Sequence, residues 1–537
     1  MKPDLPRKVY PKARKGRQGR LSSSAVPLKL GVDMPDPLAI AEEARRDQSG
    51  ALDRVRRSRL GQFFTPPSTA RLMASTSLRR RERLRLLDAG AGVGALTAAW
   101  VSEICSRSVR PKEIILTAYE LDEALLPALR QTLTACEKAC AAVGIHCAWE
   151  VRPTDFIESA VDMLDAGLFQ TEPAKFDVAI LNPPYKKFRS ESRTRQVLRR
   201  LDIETSNLYT AFLALAVMLL DKGGELIAIT PRSFCNGPYF RPFRKHFLQN
   251  VNLTRLHVFE SRDHAFRDDD VLQENLILHA VKGMPQQTLV SISESPTPDE
   301  PTERRRSVPF QRVVRPNDTE SFIHLVPDEN GHALAETMET LPCTLDALGL
   351  AVSTGRVVDF RARRWLRVEP SSETVPLIYP THFENGLVRW PKANYKKPNA
   401  LLYNAESAAL MVPAGVYVLV RRFSAKEERR RLVAAVFDPE YVPCKVVGFE
   451  NHVNYFHERG APLDRTLAWG LSMFLNCTPL DTYFRQFNGH TQVNATDLRS
   501  LRYPTRDTLT ELGRRAGDVL PPQNVIDTLV AEILEIQ

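Results

Sequence analysis

The chain has 537 residues, 43% apolar and 26% charged, the balance of a folded protein of several domains rather than a disordered one. Its longest apolar run, Ala211 to Leu220, stops at Asp221-Lys-Gly-Gly, well short of the about 18 residues a membrane span needs. The basic N-terminus has no hydrophobic stretch behind it, which argues against secretion and for a cytoplasmic protein that does not touch the membrane.

Residues 1–57 read as a basic, flexible leader with little core, since Met1 to Gly19 mixes Pro, Gly, Lys and Arg with few large apolar groups. Residues 1–20 carry eight cations against one acid, while the whole chain has a net charge of +9. The remainder is therefore almost neutral, and a polyanion would have to be met by local patches. The folded part opens at Ser58, with Ser68 or Thr69 placed to cap a short helix carrying Leu72 and Met73. Short β-rich runs follow at Leu84–Ala89, Ile114–Tyr119, Ala148–Val151, Phe176–Leu181, Glu225–Thr230, Leu253–Phe259 and Leu272–Ala280. Helical stretches such as Leu121–Ala142, Leu208–Leu220 and Tyr239–Leu248 separate most of them. Strands spaced by helices require right-handed crossovers and a mostly parallel sheet covered on both faces. The last two runs are close enough for an antiparallel hairpin, so residues 58–284 read as a seven-stranded, doubly wound α/β domain. Pro-, Ser- and Glu-rich text at 285–309 reads as a linker or long loop. Residues 310–510 mix helical, strand, aromatic and basic signals and read as an α+β domain, with 511–537 a C-terminal helix or tail. Eight cysteines in this length read as reduced thiols, and Cys136, Cys140, His146 and Cys147 lack the second arm of a metal site.

Two motifs carry chemistry. In Leu86-Leu-Asp-Ala-Gly-Ala-Gly-Val-Gly-Ala a strand runs through a glycine turn into a helix. Gly90 and Gly92 admit positive φ and let a ligand lie on bare backbone, a pattern that fits any adenosine-containing cofactor. Asp88 precedes them, Glu120 ends the next strand where a carboxylate can accept both ribose hydroxyls, and Asp155-Phe156 after the third can hold an adenine. The second motif, Asn182-Pro183-Pro184-Tyr185, directly follows a buried strand, at the end where open α/β sheets bind ligands. The exocyclic amine of a nucleobase is a poor nucleophile because its lone pair is delocalised into the ring. Two acceptors, the Asn182 side-chain carbonyl and the Pro183 backbone carbonyl, can grip its two hydrogens and localise that pair. The prolines pre-align the acceptors, and Tyr185 offers a flat face to the base. A pyrophosphate would want the helix N-terminus, whereas a sulfonium donor with an amino-acid end suits Asp88. That favours S-adenosyl-L-methionine, with no catalytic metal.

In the order of these segments the chain resembles the gamma class of amino-methyltransferases that modify adenine N6 in DNA, of the TaqI and PstI type of restriction–modification enzymes. The resemblance covers about residues 58–510. It implies a Rossmann-like methyltransferase sheet at 58–284 and a DNA target-recognition domain at 310–510. It also implies cofactor contacts from Thr65 and Pro66 of Gly61-Gln-Phe-Phe-Thr-Pro and from Asp88, Gly90, Gly92, Glu120, Asp155 and Phe156. Catalysis falls to Asn182 through Tyr185, with Phe266 stacking on the flipped adenine and Phe259 as the neighbouring alternative. Expected partners are double-stranded DNA and, functionally, a separate restriction endonuclease, with the methyltransferase itself a monomer.

Directly after the tetrapeptide, Lys186 to Arg200 holds seven basic residues against one acid. Lys186, Lys187 and Arg189 are placed to hold phosphates beside a pocket that a base enters from the duplex. Further on, Arg361 to Trp365, Arg421 to Phe423 and Arg485 to His490 combine cations, amides and aromatics suited to base edges. The alternatives are an RNA or protein-glutamine methyltransferase using the same tetrapeptide, or a non-catalytic DNA-binding subunit that keeps the methyltransferase shell.

Overall fold

A computed structural model describes residues 36–51, 64–165, 175–189, 191–259, 275–297, 304–316, 318–325, 329–393, 396–424, 428–488 and 491–534. All seven β-rich runs form strands: β1 (Arg83–Ala89), β2 (Glu113–Tyr119), β3 (His146–Arg152), β4 (Phe176–Leu181), β5 (Leu220–Pro231), β6 (Val251–Phe259) and β7 (Asn275–Lys282). They lie in the order β3-β2-β1-β4-β5-β7-β6. The first five are parallel, and β7 runs antiparallel to both β5 and β6. Every residue of β4 is buried, as a central parallel strand with helices on both faces requires. Val178 and Ile180 enter one core with the helices 95–106 and 126–142, while Ala179 and Leu181 enter the other with 156–165 and 208–219.

The sheet has nine strands, not seven. Residues 285–309, expected as a linker, carry β8 (Leu289–Ser295), parallel to β6, and β9 (Arg304–Pro309), antiparallel to β8. The edge concealed them. In β8 only Val290 and Ile292 enter the core, while Ser293 and Ser295 take the two ring nitrogens of His257 on the other face. In β9, Val308 is buried behind a run of arginines, and an outermost strand needs little apolar text. The leader is corrected as well: within 1–57, a helix at Pro37–Ala51 buries Leu38 and Ala41 in the core. The helix at Pro67–Ser75 starts on Pro66 without a side-chain cap, so neither Ser68 nor Thr69 plays that part.

Beyond residue 310, short strands between Ala351 and His457 make a six-stranded and a five-stranded sheet. Helices at 465–475, 478–487, 495–500, 506–516 and 523–534 pack on one another and on the six-stranded sheet. This half is fastened to the first through main chain. Arg232, just past β5, donates to the carbonyl of Gln486, and Ile323 N–H donates to the carbonyl of Cys235 at 2.9 Å. Buried Arg244 donates to the carbonyls of Phe234, Gly237 and Glu320 at 2.6–3.0 Å.

Candidate active site

The chemistry-bearing residues gather where β1, β2, β3 and β4 end. Gly90, Gly92 and Gly94 all have positive φ (77°, 57° and 86°), so the chain doubles back in conformations that side chains disfavour. A Cβ on Gly92 would meet the Phe64 ring at 3.6 Å, and one on Gly90 the Phe212 ring at 3.7 Å. The loop is thus a backbone shelf between two aromatic rings. Neither ring stood out in the sequence: Phe64 lay unremarked inside its motif, and Phe212 sits in an apolar helix.

Asp88, at the end of β1, is 1% exposed. Its Oδ2 accepts from the Thr97 hydroxyl at 2.6 Å, and among the described residues its Oδ1 has no hydrogen-bond partner. Burial pushes this carboxyl up to about 7, against the Thr97 bond, with Glu120 adding repulsion. Glu120 is buried too. It accepts from Gly92 N–H at 2.8 Å and from Asp122 N–H at 2.7 Å, so it braces the glycine loop, and burial still raises its carboxyl. With the Leu121 N–H acting on it as well, the carboxylate still has acceptor capacity for a ligand hydroxyl. An unpartnered buried carboxylate oxygen beside a glycine shelf fits the cationic amino-acid end of a sulfonium donor.

Asp155 is exposed and caps the helix at 156–165, its Oδ1 accepting from the N–H groups of Ile157 and Glu158 at 2.8 and 3.1 Å. Phe156 is a core ring wedged against Tyr119 and Phe212, with centroids 5.2 and 4.9 Å away. Its route to the shelf therefore runs through Phe212.

The tetrapeptide turns away from β4 with Pro183 buried and Asn182, Pro184 and Tyr185 half-buried. Asn182 Nδ2 donates to Thr65 Oγ1 at 2.9 Å. The Tyr185 hydroxyl lies 3.1 Å from Asn182 Oδ1 and 3.2 Å from the carbonyl of Ile229 on β5, where burial pushes the phenol up. Phe64 and Thr65 thus bridge the site, one packed on the glycine shelf and the next bonded to Asn182. The proline corner and the shelf are neighbours on one rim. Pro66 follows as the extended residue just before the helix at 67–75.

Lys186, Lys187 and Arg189 are exposed. Their segment is pinned to residues 206–208 by main-chain bonds, Phe188 N–H to Ser206 at 3.0 Å and Leu208 N–H to Lys186 at 2.8 Å. Of the other cations in that run, Arg193 pairs with Glu158, Arg195 and Arg199 with Glu204, and Arg200 with Asp162 and Asp165. The acidic partners of this run thus lie along its later part, from Arg193 to Arg200. Phe266 lies outside the described residues. Its alternative, Phe259, is a buried core ring against His257. In the C-terminal half, Phe360 is 66% exposed and Arg364 stacks 4.0 Å above Trp365, a surface open to a ligand. Arg485, by contrast, pairs with Asp481, Gln486 donates to the carbonyl of Gly331, and Asn488 is held between Arg431 and Asp497. That stretch is framework as far as it is described.

Comparison with known proteins identifies the family. Residues 145–266 match the family of Eco57I restriction-modification methylases. The chain is 43% identical over 515 residues to the type II methyltransferase M.PstI of Providencia stuartii, covering 96% of this chain and 99% of that protein. It is 46% identical over 461 residues to M.BsuBI of Bacillus subtilis, covering 85% and 90%. In fold it is similar to the type IIL restriction-modification enzyme MmeI, solved in complex with DNA, with a TM-score of 0.52 at 10% identity, over 94% of this chain and 74% of that one. These relatives do not favour the RNA- and protein-directed alternatives. The chain belongs to the type II methyltransferases of restriction–modification systems.

Proposed function

We propose that this DNA methyltransferase transfers the methyl group of S-adenosyl-L-methionine to N6 of an adenine turned out of a specific duplex sequence, protecting that site from a separate restriction endonuclease. The observation that carries the reading is the Asn182-Pro-Pro-Tyr corner on the same rim as the glycine shelf, joined to it by Phe64-Thr65. When bound, the donor supplies an electrophilic methyl group; the rest is alignment by the protein. Asp88 would hold the donor's ammonium, Glu120 its ribose, and the backbone of Gly90 and Gly92 its flank. Asn182 Oδ1 and the Pro183 carbonyl accept the two amine hydrogens, favouring a tetrahedral nitrogen with its lone pair free to attack. The Tyr185 ring faces the base, and the proton lost from nitrogen leaves to solvent. Lys187 and Arg189 hold flanking phosphates, and the surface around Phe360 to Trp365 meets the duplex.

Single-molecule sequencing of DNA from cells expressing the gene tests this reading. Methylated adenines confined to one short motif are expected. Modified cytosine N4 would change the target base, and unmodified DNA would sink the proposal.

A further inference from the structure

We infer that Thr65 is a positioning residue for catalysis: its hydroxyl holds the Asn182 amide so that Oδ1, not Nδ2, is presented to the target amine. The inference rests on the methyltransferase reading above and assigns Thr65 a task other than gripping the methyl donor. An amide has two faces of nearly equal shape and opposite hydrogen-bonding character. With Oδ1 towards the pocket, Asn182 draws out an amine hydrogen. Turned over, it would aim an N–H at that hydrogen and repel the substrate. The rigid proline corner fixes where Asn182 sits but leaves rotation of its amide open.

Thr65 acts on that rotation. Its Oγ1 is 2.9 Å from Asn182 Nδ2, and the residue is 6% exposed, so the bond forms where water competes little. On the other side, the Tyr185 hydroxyl is 3.1 Å from Asn182 Oδ1 and 3.2 Å from the Ile229 carbonyl. Its single proton can therefore pass from Asn182 to Ile229 when an amine arrives to take its place. Thr65 has no such exchange to make, so its hold persists through the reaction. Its neighbours keep it in place: Phe64 is seated on the glycine shelf and Pro66 enters the helix at 67–75.

Thr65→Val keeps the shape and removes the acceptor; Thr65→Ser keeps the acceptor. Single-turnover methylation of duplex DNA and equilibrium binding of S-adenosylmethionine should be measured on the full chain for both. The expected result for Thr65→Val is a methyl-transfer rate lower by about tenfold or more with donor affinity within about twofold of wild type. Thr65→Ser should recover most of the rate. Entry of the base, read by 2-aminopurine fluorescence at the target position, should be unchanged in both. Retained donor binding also shows that the variants are folded. A Thr65→Val rate within about twofold of wild type overturns the inference, as does a loss traced to weaker donor binding in either variant. Wild-type protein that methylates no duplex removes the functional reading itself, and the inference falls with it, whereas failure of the variants alone leaves that reading standing.

Discussion

Asp88 at the sheet's rim and Asp497 among the C-terminal helices look alike at first. Both are buried, each leaves Oδ1 without a partner, and burial pushes each carboxyl up to about 7. Their surroundings differ. Asp497 Oδ2 accepts from Asn494 N–H at 2.8 Å and from Asn488 Nδ2 at 2.9 Å, and the charge of Arg431 favours its ionised form. Asp88 is held by one residue, Thr97, through its hydroxyl and its N–H, and the charge it feels from Glu120 is of its own sign. One carboxylate finishes a framework, and the other is the one proposed above to hold a cation. A buried charge with its counterpart missing is costly in the free protein, and that cost turns into affinity when a cationic ligand binds.

The sharpest test of the contrast between poised and finished groups is Asn182→Ala, on the poised side. Methylation should fall by about a hundredfold or more while donor binding persists, the scale of losing one preorganised transition-state contact. Activity within about tenfold of wild type in a filter-binding assay would discard the paired-acceptor account. Next come the two aspartates. Asp497→Ala strands the Asn494 and Asn488 donors and should lower unfolding stability by about 2 kcal/mol. Asp88→Asn should leave stability within about 1 kcal/mol of wild type, or raise it, while weakening donor binding by about tenfold or more. Urea unfolding with parallel calorimetry would separate them, and equal stability losses would abolish the distinction.

The pH dependence follows from the same shift. With its folded carboxyl raised to about 7 from an ordinary 3.8, Asp88 binds more protons folded than unfolded between those values. Its contribution favours the fold below about pH 4 and is lost as pH rises through about 7. Donor affinity should move the opposite way, strengthening between about pH 6 and 8 as the carboxylate forms. That slope should vanish in Asp88→Asn, and its survival there would assign the titration to another group. The smallest effect is expected from Lys187→Ala with Arg189→Ala: weaker DNA binding and a shallower dependence on salt, by about one to two in the log–log slope. An unchanged slope would place the phosphate contacts elsewhere.

The sheet was legible where both faces are buried, because β1, β4 and β5 then read as apolar runs bounded by turns. It was illegible at the edge, where, exposed Leu289 aside, Val290, Ile292 and Val308 are the apolar signal of β8 and β9. The helix at 37–51 hid for a similar reason, burying Leu38 and Ala41 on a face otherwise written in charge. The glycine loop and the proline corner could be read because their chemistry is contained in contiguous residues. Contacts made across the fold could not. Nothing in the text couples Thr65 to Asn182, 117 positions apart, or shows that Phe156 lies behind Phe212. The stretch from Arg485 to Asn488 misled because cations and amides that read bases are also those that tie helices together.

The clasps between the two halves of the protein have a bearing on how new specificities arise. Arg232 grips the carbonyl of Gln486, and Arg244, itself held by the carbonyls of Phe234 and Gly237, reaches across to that of Glu320. Every residue type owns a carbonyl, but the side chains at these points are engaged too, Glu320 with Arg241 at 3.3 Å and Gln486 with the Gly331 carbonyl at 2.8 Å. A lineage can change exposed side chains of the C-terminal half while the mounting of that half on the sheet stays as it was. For an engineer, the portable unit is the course of the backbone through residues 320 and 486 together with the Glu320 and Gln486 side chains that help to hold it.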